Sequence, residues 1–144
     1  MIIFLDFDGV THPWPVQEGA MFDKNCLNNL NNALKNYSVD IVITSTWREN
    51  ISLSDLKMKL GVIGHYVRGV TPVIDDPFMH HVRYYEIQLY LKNYNKVDNW
   101  IAIDDTAGFF PTGMSNLFLT NPRTGFTQND SEALINKISY QSNN

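Results

Sequence analysis

The chain places acids where apolar runs end. Ile2-Ile3-Phe4-Leu5 leads directly into Asp6-Phe7-Asp8-Gly9, and Trp100-Ile101-Ala102-Ile103 leads into Asp104-Asp105. Two carboxylates about 4 Å apart repel by about 1 kcal/mol in water and about 4 kcal/mol at an effective dielectric near 20. Two acidic strand ends in one small domain are therefore costly unless a cation joins them. Mg²⁺ suits this role, because hard cations prefer carboxylate and carbonyl oxygens. No histidine or cysteine lies among these acids, which argues against zinc. Alternate residues at a strand end point the same way, so Asp6 and Asp8 can reach one substrate. One can be a metal-bound nucleophile and the other a general acid/base. Gly9 follows, where a tight turn wants backbone freedom.

A third apolar run, Val39–Ile43, ends in Thr44-Ser45-Thr46-Trp47-Arg48. Thr44 and Ser45 offer hydroxyl and backbone donors suited to the oxygens of an anion. Arg83, at the start of a predicted helix, is the candidate cation to complete a phosphate site. Plainer readings stand beside these. Asp6 and Asp8 could be solvated strand-end acids or turn formers, and Asp104-Asp105 could cap a following helix. Arg48 could pair with Glu49 or another acid, and Arg83 with Glu86 or Glu18. The two acidic strand ends taken together favour the metal reading. His80-His81 diverge on a helix and make a poor ligand pair. His12 reads as a turn residue before Pro13, Trp14, Trp47 and Trp100 as packing, and Asp75-Asp76-Pro77 as a turn.

The elements that must hold these residues alternate. The strands are Ile2–Leu5, Val39–Ile43, Tyr66–Val70, Trp100–Ile103 and Asn116–Leu119. A helix through Leu27, Leu30 and Leu34 keeps its period across the asparagine-rich stretch, with Asp23 as N-cap. Ser52 or Ser54 opens a second helix with Leu53, Leu56 and Leu60, and Gly61 stops it. His81–Asn93 is the third, with Ile87, Leu91 and tyrosines inward. Thr127–Asp130 approximates a capping box for a last helix carrying Leu134 and Ile138, and Gln141–Asn144 is expected to fray. Alternating strands and helices predict an α/β domain with a mainly parallel sheet. Ligands in such sheets sit outside the carboxyl ends of the strands, where Asp6, Asp8, Thr44, Ser45, Asp104 and Asp105 all fall.

At 144 residues, with no Pro/Gly/Ser linker or repeat, the chain reads as a single domain spanning residues 1–144. One cysteine excludes an internal disulfide framework, and Met1 leads straight into the first strand with no basic leader region. A cytoplasmic protein is the expectation. No apolar stretch approaches the roughly 20 residues that span a bilayer. A net charge of −4 gives no global attraction to nucleic acid or anionic membrane.

These residues also resemble the motifs of the haloacid dehalogenase (HAD) superfamily. Asp6-Phe7-Asp8-Gly9-Val10 is similar to its first motif, Val39–Ser45 to its second, Arg83 to its third and Asp104-Asp105 to its fourth. Further stretches resemble a compact HAD group found with Swiss Army Knife RNA-repair proteins. They are Asp8–Pro13, Thr44–Arg48, Gly69–Pro72, Arg83–Leu91 and Asn121–Thr127. The resemblance implies a Rossmann-like three-layer HAD fold and a Mg²⁺-dependent phosphohydrolase. In it Asp6 attacks phosphorus and becomes a transient aspartyl phosphate. Asp8 protonates the leaving oxygen and then activates water, and Thr44 or Ser45 with Arg83 holds the phosphoryl oxygens. Asp104 and Asp105 position Mg²⁺ together with Asp6 and the backbone carbonyl of Asp8. Gly9 and Arg48 are further substrate-site candidates.

The intervals between motifs leave little room for a cap domain. An open site permits bulky phosphorylated substrates, such as nucleic-acid ends or proteins, as well as small molecules, and a homo-oligomer could cover it instead. Two other classes remain: a phosphate- or metal-binding regulatory module without turnover, and a metal-dependent nuclease using the same acids.

Overall fold

Parity along the strands decides the layers. In a computed structural model describing residues 1–94 and 99–142, five strands pair in parallel. They are β1 (Ile2–Leu5), β2 (Asp40–Ile43), β3 (Val67–Val70), β4 (Trp100–Asp104) and β5 (Leu117–Leu119). Their order is β3-β2-β1-β4-β5, which puts the first strand at the centre. The odd-numbered side chains Ile3, Leu5, Ile41, Ile43, Ile101 and Ile103 face one core, and Phe4, Val42 and Ala102 face the other. A strand buried on both faces can be apolar at every position, as Ile2–Leu5 is. Each such side chain taken out of water contributes roughly 1.5–3 kcal/mol.

Helices α1 (Lys24–Leu34), α2 (Leu53–Lys59) and α4 (Gln128–Ser142) cover the odd face through Leu27, Leu30, Leu34, Leu56, Leu134 and Ile138. Helix α3 (Val82–Lys92) covers the other with Ile87 and Tyr90, and Tyr90 and Trp100 both meet the Phe4 ring edge-on. The result is the three-layer Rossmann-like arrangement that the alternation of elements predicts.

The helix boundaries follow local chemistry. Asp23 accepts from the amides of Asn25 and Cys26, and Ser52 accepts from that of Asp55. Gly61, at φ +51, follows the end of α2. Thr127 and Asp130 exchange side-chain and backbone bonds as a capping box. Small differences from the sequence reading have local causes. β3 begins at Val67 because Gly61–Tyr66 forms a 3₁₀ run. In α3, Ile87 and Tyr90 are buried as expected, and Leu91 packs against the same core while only partly buried. Gln141 and Ser142 remain helical instead of fraying, while Asn143 and Asn144 lie outside the described residues.

Register positions the site. Leu5 pairs with both Ile43 and Ile103, so Asp6, Thr44 and Asp104, the last residue of β4, stand at one level across the sheet. The segments beyond the carboxyl ends are loops interrupted only by the 3₁₀ turns Thr46–Glu49 and Ala107–Phe109 before the next long element. Among the described residues none of these segments holds an α-helix or strand pair that could act as a cap. No described helix is long and apolar enough to cross a membrane.

Candidate active site

The central strand and its neighbour bring their acids together. One carboxylate oxygen each from Asp6, Asp104 and Asp105 lies within 4.8 Å of the others. Asp6 and Asp104 are buried. Burial pushes the Asp6 carboxyl up from 3.8 to about 6, more than the nearby Arg83 guanidinium can offset, and Asp105 and Asp8 add to the rise. Asp104 is raised well above its ordinary value, first by burial and then by Asp6.

The local backbone is built around this crowding. Gly9 sits at φ +73, and a Cβ there would overlap the Asp105 carboxylate. Its position thus needs glycine both for conformation and for space. Thr120, just beyond β5, donates its hydroxyl to the Gly9 carbonyl and pins the turn. Asp104 Oδ1 accepts from the Thr106 amide at 2.9 Å, and Asp105 Oδ1 accepts from the Thr106 hydroxyl at 2.7 Å. Asp104 Oδ2 is buried without a hydrogen-bond partner among the described residues. A set of three oxygen-donor carboxylates with one orphaned buried oxygen fits a hard divalent cation such as Mg²⁺.

Arg83 faces this cluster from the first turn of α3. Its Nη2 is 3.9 Å from Asp6 Oδ1 and its Nε is 3.7 Å from Asp104 Oδ2. Far from being a solvated helix residue, Arg83 is buried, with its guanidinium over the Phe109 ring. Glu86, one turn later on the same stripe, lies 3.5 Å from Arg83 Nη1 and 2.9 Å from Arg48 Nη2. It also accepts from the Ile74 amide. The stripe that buries α3 is therefore Arg83, Glu86, Ile87 and Tyr90, charged where it meets the site and apolar beyond it.

Arg48 is spent on the protein itself. Its guanidinium donates to the carbonyls of Thr44, Ser45, Thr71 and Pro72 as well as pairing with Glu86. The acid it pairs with is Glu86 rather than its neighbour Glu49. It ties the loop after β2 to the loop after β3 instead of pointing donors at Asp6. Thr44 and Ser45 are both buried at the β2 end. Ser45 Oγ accepts from the Trp47 amide at 3.4 Å, which caps the 3₁₀ turn and leaves the hydroxyl proton free to be donated.

Asp8 stands apart from the three-carboxylate group. An isolated bridge folds the loop so that His12 returns to it, and His12 Nε2 lies 2.9 Å from Asp8 Oδ1. Trp47 Nε1 donates to Asp8 Oδ1 at 3.2 Å and Oδ2 at 3.3 Å. In the sequence His12 reads as a turn residue and Trp47 as packing; Trp47 does pack against the core, and both side chains also bond Asp8, while Glu86 lies between two arginines. The four-residue spacing of Asp8 and His12 is the available signal for the His12 bond, and the Arg83–Glu86 pair at i, i+3 is one the spacing already offers; the Trp47–Asp8 and Arg48–Glu86 contacts join elements far apart in the chain. His80 and His81 lie outside the acidic group, and Asp76 forms the expected turn by accepting from the Phe78 amide.

The sequence model for the family described as "HAD domain in Swiss Army Knife RNA repair proteins" matches residues 2–131. That span runs from the first strand into the last helix and contains every residue of the cluster. No curated protein and no solved structure matches the chain.

Proposed function

Because the chain belongs to the family of HAD domains in Swiss Army Knife RNA repair proteins, we propose that it is a Mg²⁺-dependent phosphomonoesterase working through Asp6 and Asp8. The observation that carries this reading is the convergence of Asp6, Asp104 and Asp105 beside Arg83 at the carboxyl edge of the sheet. Asp6, Asp104, Asp105 and the backbone carbonyl of Asp8 would hold the ion. Bound there, it supplies positive charge against the acids and the phosphoryl oxygens.

The chain's own residues do the rest. A carboxylate oxygen of Asp6 attacks phosphorus as the bond from phosphorus to the leaving oxygen breaks, and Asp8 gives that oxygen its proton. Asp8 then takes a proton from water as the water oxygen attacks phosphorus. The bond from phosphorus to Asp6 breaks, which returns the Asp6 carboxylate and releases inorganic phosphate. Arg83 and the hydroxyl of Ser45 or Thr44 orient the phosphoryl oxygens, in keeping with a reaction that needs placement and charge neutralisation above all. Arg48 and Glu86 hold Arg83 and the β2 and β3 loops in register. Gly9 lets Asp105 approach the turn. The substrate is a phosphomonoester, with nucleotide or nucleic-acid ends among the candidates suggested by the family's description.

The test is phosphate release from p-nitrophenyl phosphate with and without Mg²⁺, using Asp6→Asn as control, followed by 3′- and 5′-phosphorylated oligonucleotides. Metal-dependent release lost in Asp6→Asn supports the reading. Internal strand breaks point to a nuclease, and no turnover with any substrate points to a binding module.

A further inference from the structure

We infer that His12 and Trp47 are positioning residues that clamp the Asp8 carboxyl group in one orientation. This rests on the phosphomonoesterase reading above and adds to it how the acid/base is held. Two separate elements supply the grip. His12 comes from the loop after β1 and Trp47 from the 3₁₀ turn after β2, and their ring nitrogens meet the same carboxylate from 2.9 to 3.3 Å.

The direction of the histidine bond follows from its other nitrogen. The backbone amide of Phe22 can only donate, and it points at His12 Nδ1 from 3.2 Å. Nδ1 is therefore the acceptor, and a neutral imidazole then carries its proton on Nε2, facing Asp8. The Thr11 hydroxyl also lies 3.1 Å from Nδ1. With Nδ1 held this way, His12 is no proton relay to solvent; it is a fixed donor. Phe22 adopts φ +55 to deliver that amide, a left-handed backbone uncommon for a bulky residue.

Packing then removes the remaining freedom. The Phe22 ring stands edge-on to His12, Phe7 and Trp47, with centroids 5.6, 5.3 and 5.2 Å away. The His12 side chain is fully buried, whereas that of Asp8 keeps 27% of its surface. The clamp thus lies on the protein side and leaves part of the carboxyl group open. A free carboxyl group rotates about its last bond. One held by two N–H donors presents the same oxygen to the leaving group at each turnover, which is the kind of alignment that general acid catalysis depends on.

The experiment uses Trp47→Phe, which keeps a ring in the aromatic group and removes the donor, together with His12→Phe and His12→Gln. For each, kcat/KM is measured with p-nitrophenyl phosphate, whose leaving group departs without a proton, and with an alkyl phosphate monoester, whose leaving group needs one. Trp47→Phe is expected to lower kcat/KM for the alkyl ester about tenfold and for the aryl ester less than about threefold. His12→Phe should show the same selective loss, and His12→Gln, which retains an N–H donor, should recover part of it. Equal losses on both substrates would mean that the two rings are merely structural and overturn the inference. Wild-type protein that turns over neither ester defeats the phosphomonoesterase reading itself, and the inference with it. A second readout needs no turnover. The Trp47 indole N–H resonance, identified by its loss in Trp47→Phe, should move in Asp8→Ala, and an unmoved signal would also overturn the clamp.

Discussion

Arg83 Nε and Asp104 Oδ2 face each other 3.7 Å apart, and neither atom has a hydrogen-bond partner among the described residues. They form a long buried ion pair rather than a hydrogen bond, which leaves each atom with hydrogen-bonding or ligand capacity to spare. On the reading above Asp104 is reserved for the cation and Arg83 for the phosphoryl oxygens.

The first expected consequence is a pH-dependent stability that metal reverses. Burial raises the Asp6 carboxyl from 3.8 to about 6 and raises Asp104 in the same direction. A carboxyl group raised on folding binds its proton more tightly in the native state than in the unfolded one. Its contribution is therefore greatest below about pH 3.8 and is lost as pH rises through about 6. Metal-free protein should lose Tm across that window relative to a variant carrying Asp6→Asn. Added Mg²⁺ should raise Tm more at pH 7 than at pH 5, because the ion binds the ionised acids. Thermal melts across pH, with and without the ion, check both slopes.

Asp6→Asn should separate stability from turnover. Removing a buried carboxylate that crowds two others is expected to raise the metal-free Tm at neutral pH while abolishing phosphate release. A variant that loses activity and also melts lower would point to a structural role for Asp6.

Glu86 is expected to matter as much as the arginines it joins. Glu86→Ala leaves the buried Arg48 guanidinium without its carboxylate and frees Arg83 to collapse onto Asp6 and Asp104. Breaking a buried pair in this way costs about 3 kcal/mol or more, measurable by urea unfolding. The variant should also show a raised KM, because Arg83 no longer has its anchor.

Gly9→Ala should be destabilising out of proportion to its size. The residue sits at φ +73, and its new Cβ would meet the Asp105 carboxylate. A loss of about 2 kcal/mol is expected from conformation alone. Displacement of Asp105 should weaken the Mg²⁺-induced Tm shift as well.

Ser45→Ala and Thr44→Val distinguish the two hydroxyl candidates. Ser45 already accepts from the Trp47 amide, so its removal should cost about 1 kcal/mol as a lost cap. If Ser45 also holds the phosphoryl group, its variant should raise KM more than Thr44→Val does.

Strand ends were the most legible part of the chain. Ile2–Leu5 and Trp100–Ile103 are apolar at every position because both faces of a central strand are covered, and the acids that follow mark where the sheet opens. Caps such as Asp23 and Thr127 were readable for the same local reason. Helix α3 was less so, because its buried stripe begins with Arg83 and Glu86, and periodicity alone cannot tell a buried charge from a solvated one. The role of Arg48 depended on carbonyls at Thr71 and Pro72, and the Trp47 bond to Asp8 spans two loops; contacts of that kind have no signature in spacing. His12 was the near miss, since its four-residue distance from Asp8 was visible while the turn that closes the gap was not.

Acid-quenched peptide mass spectrometry on enzyme mixed with p-nitrophenyl phosphate and Mg²⁺ asks whether Asp6 itself takes the phosphoryl group. The peptide containing Asp6 should gain the mass of one phosphoryl group in the wild type and none in Asp6→Asn. Steady release of phosphate with the label on another residue, or turnover that persists unchanged in Asp6→Asn, would show that the chemistry runs elsewhere.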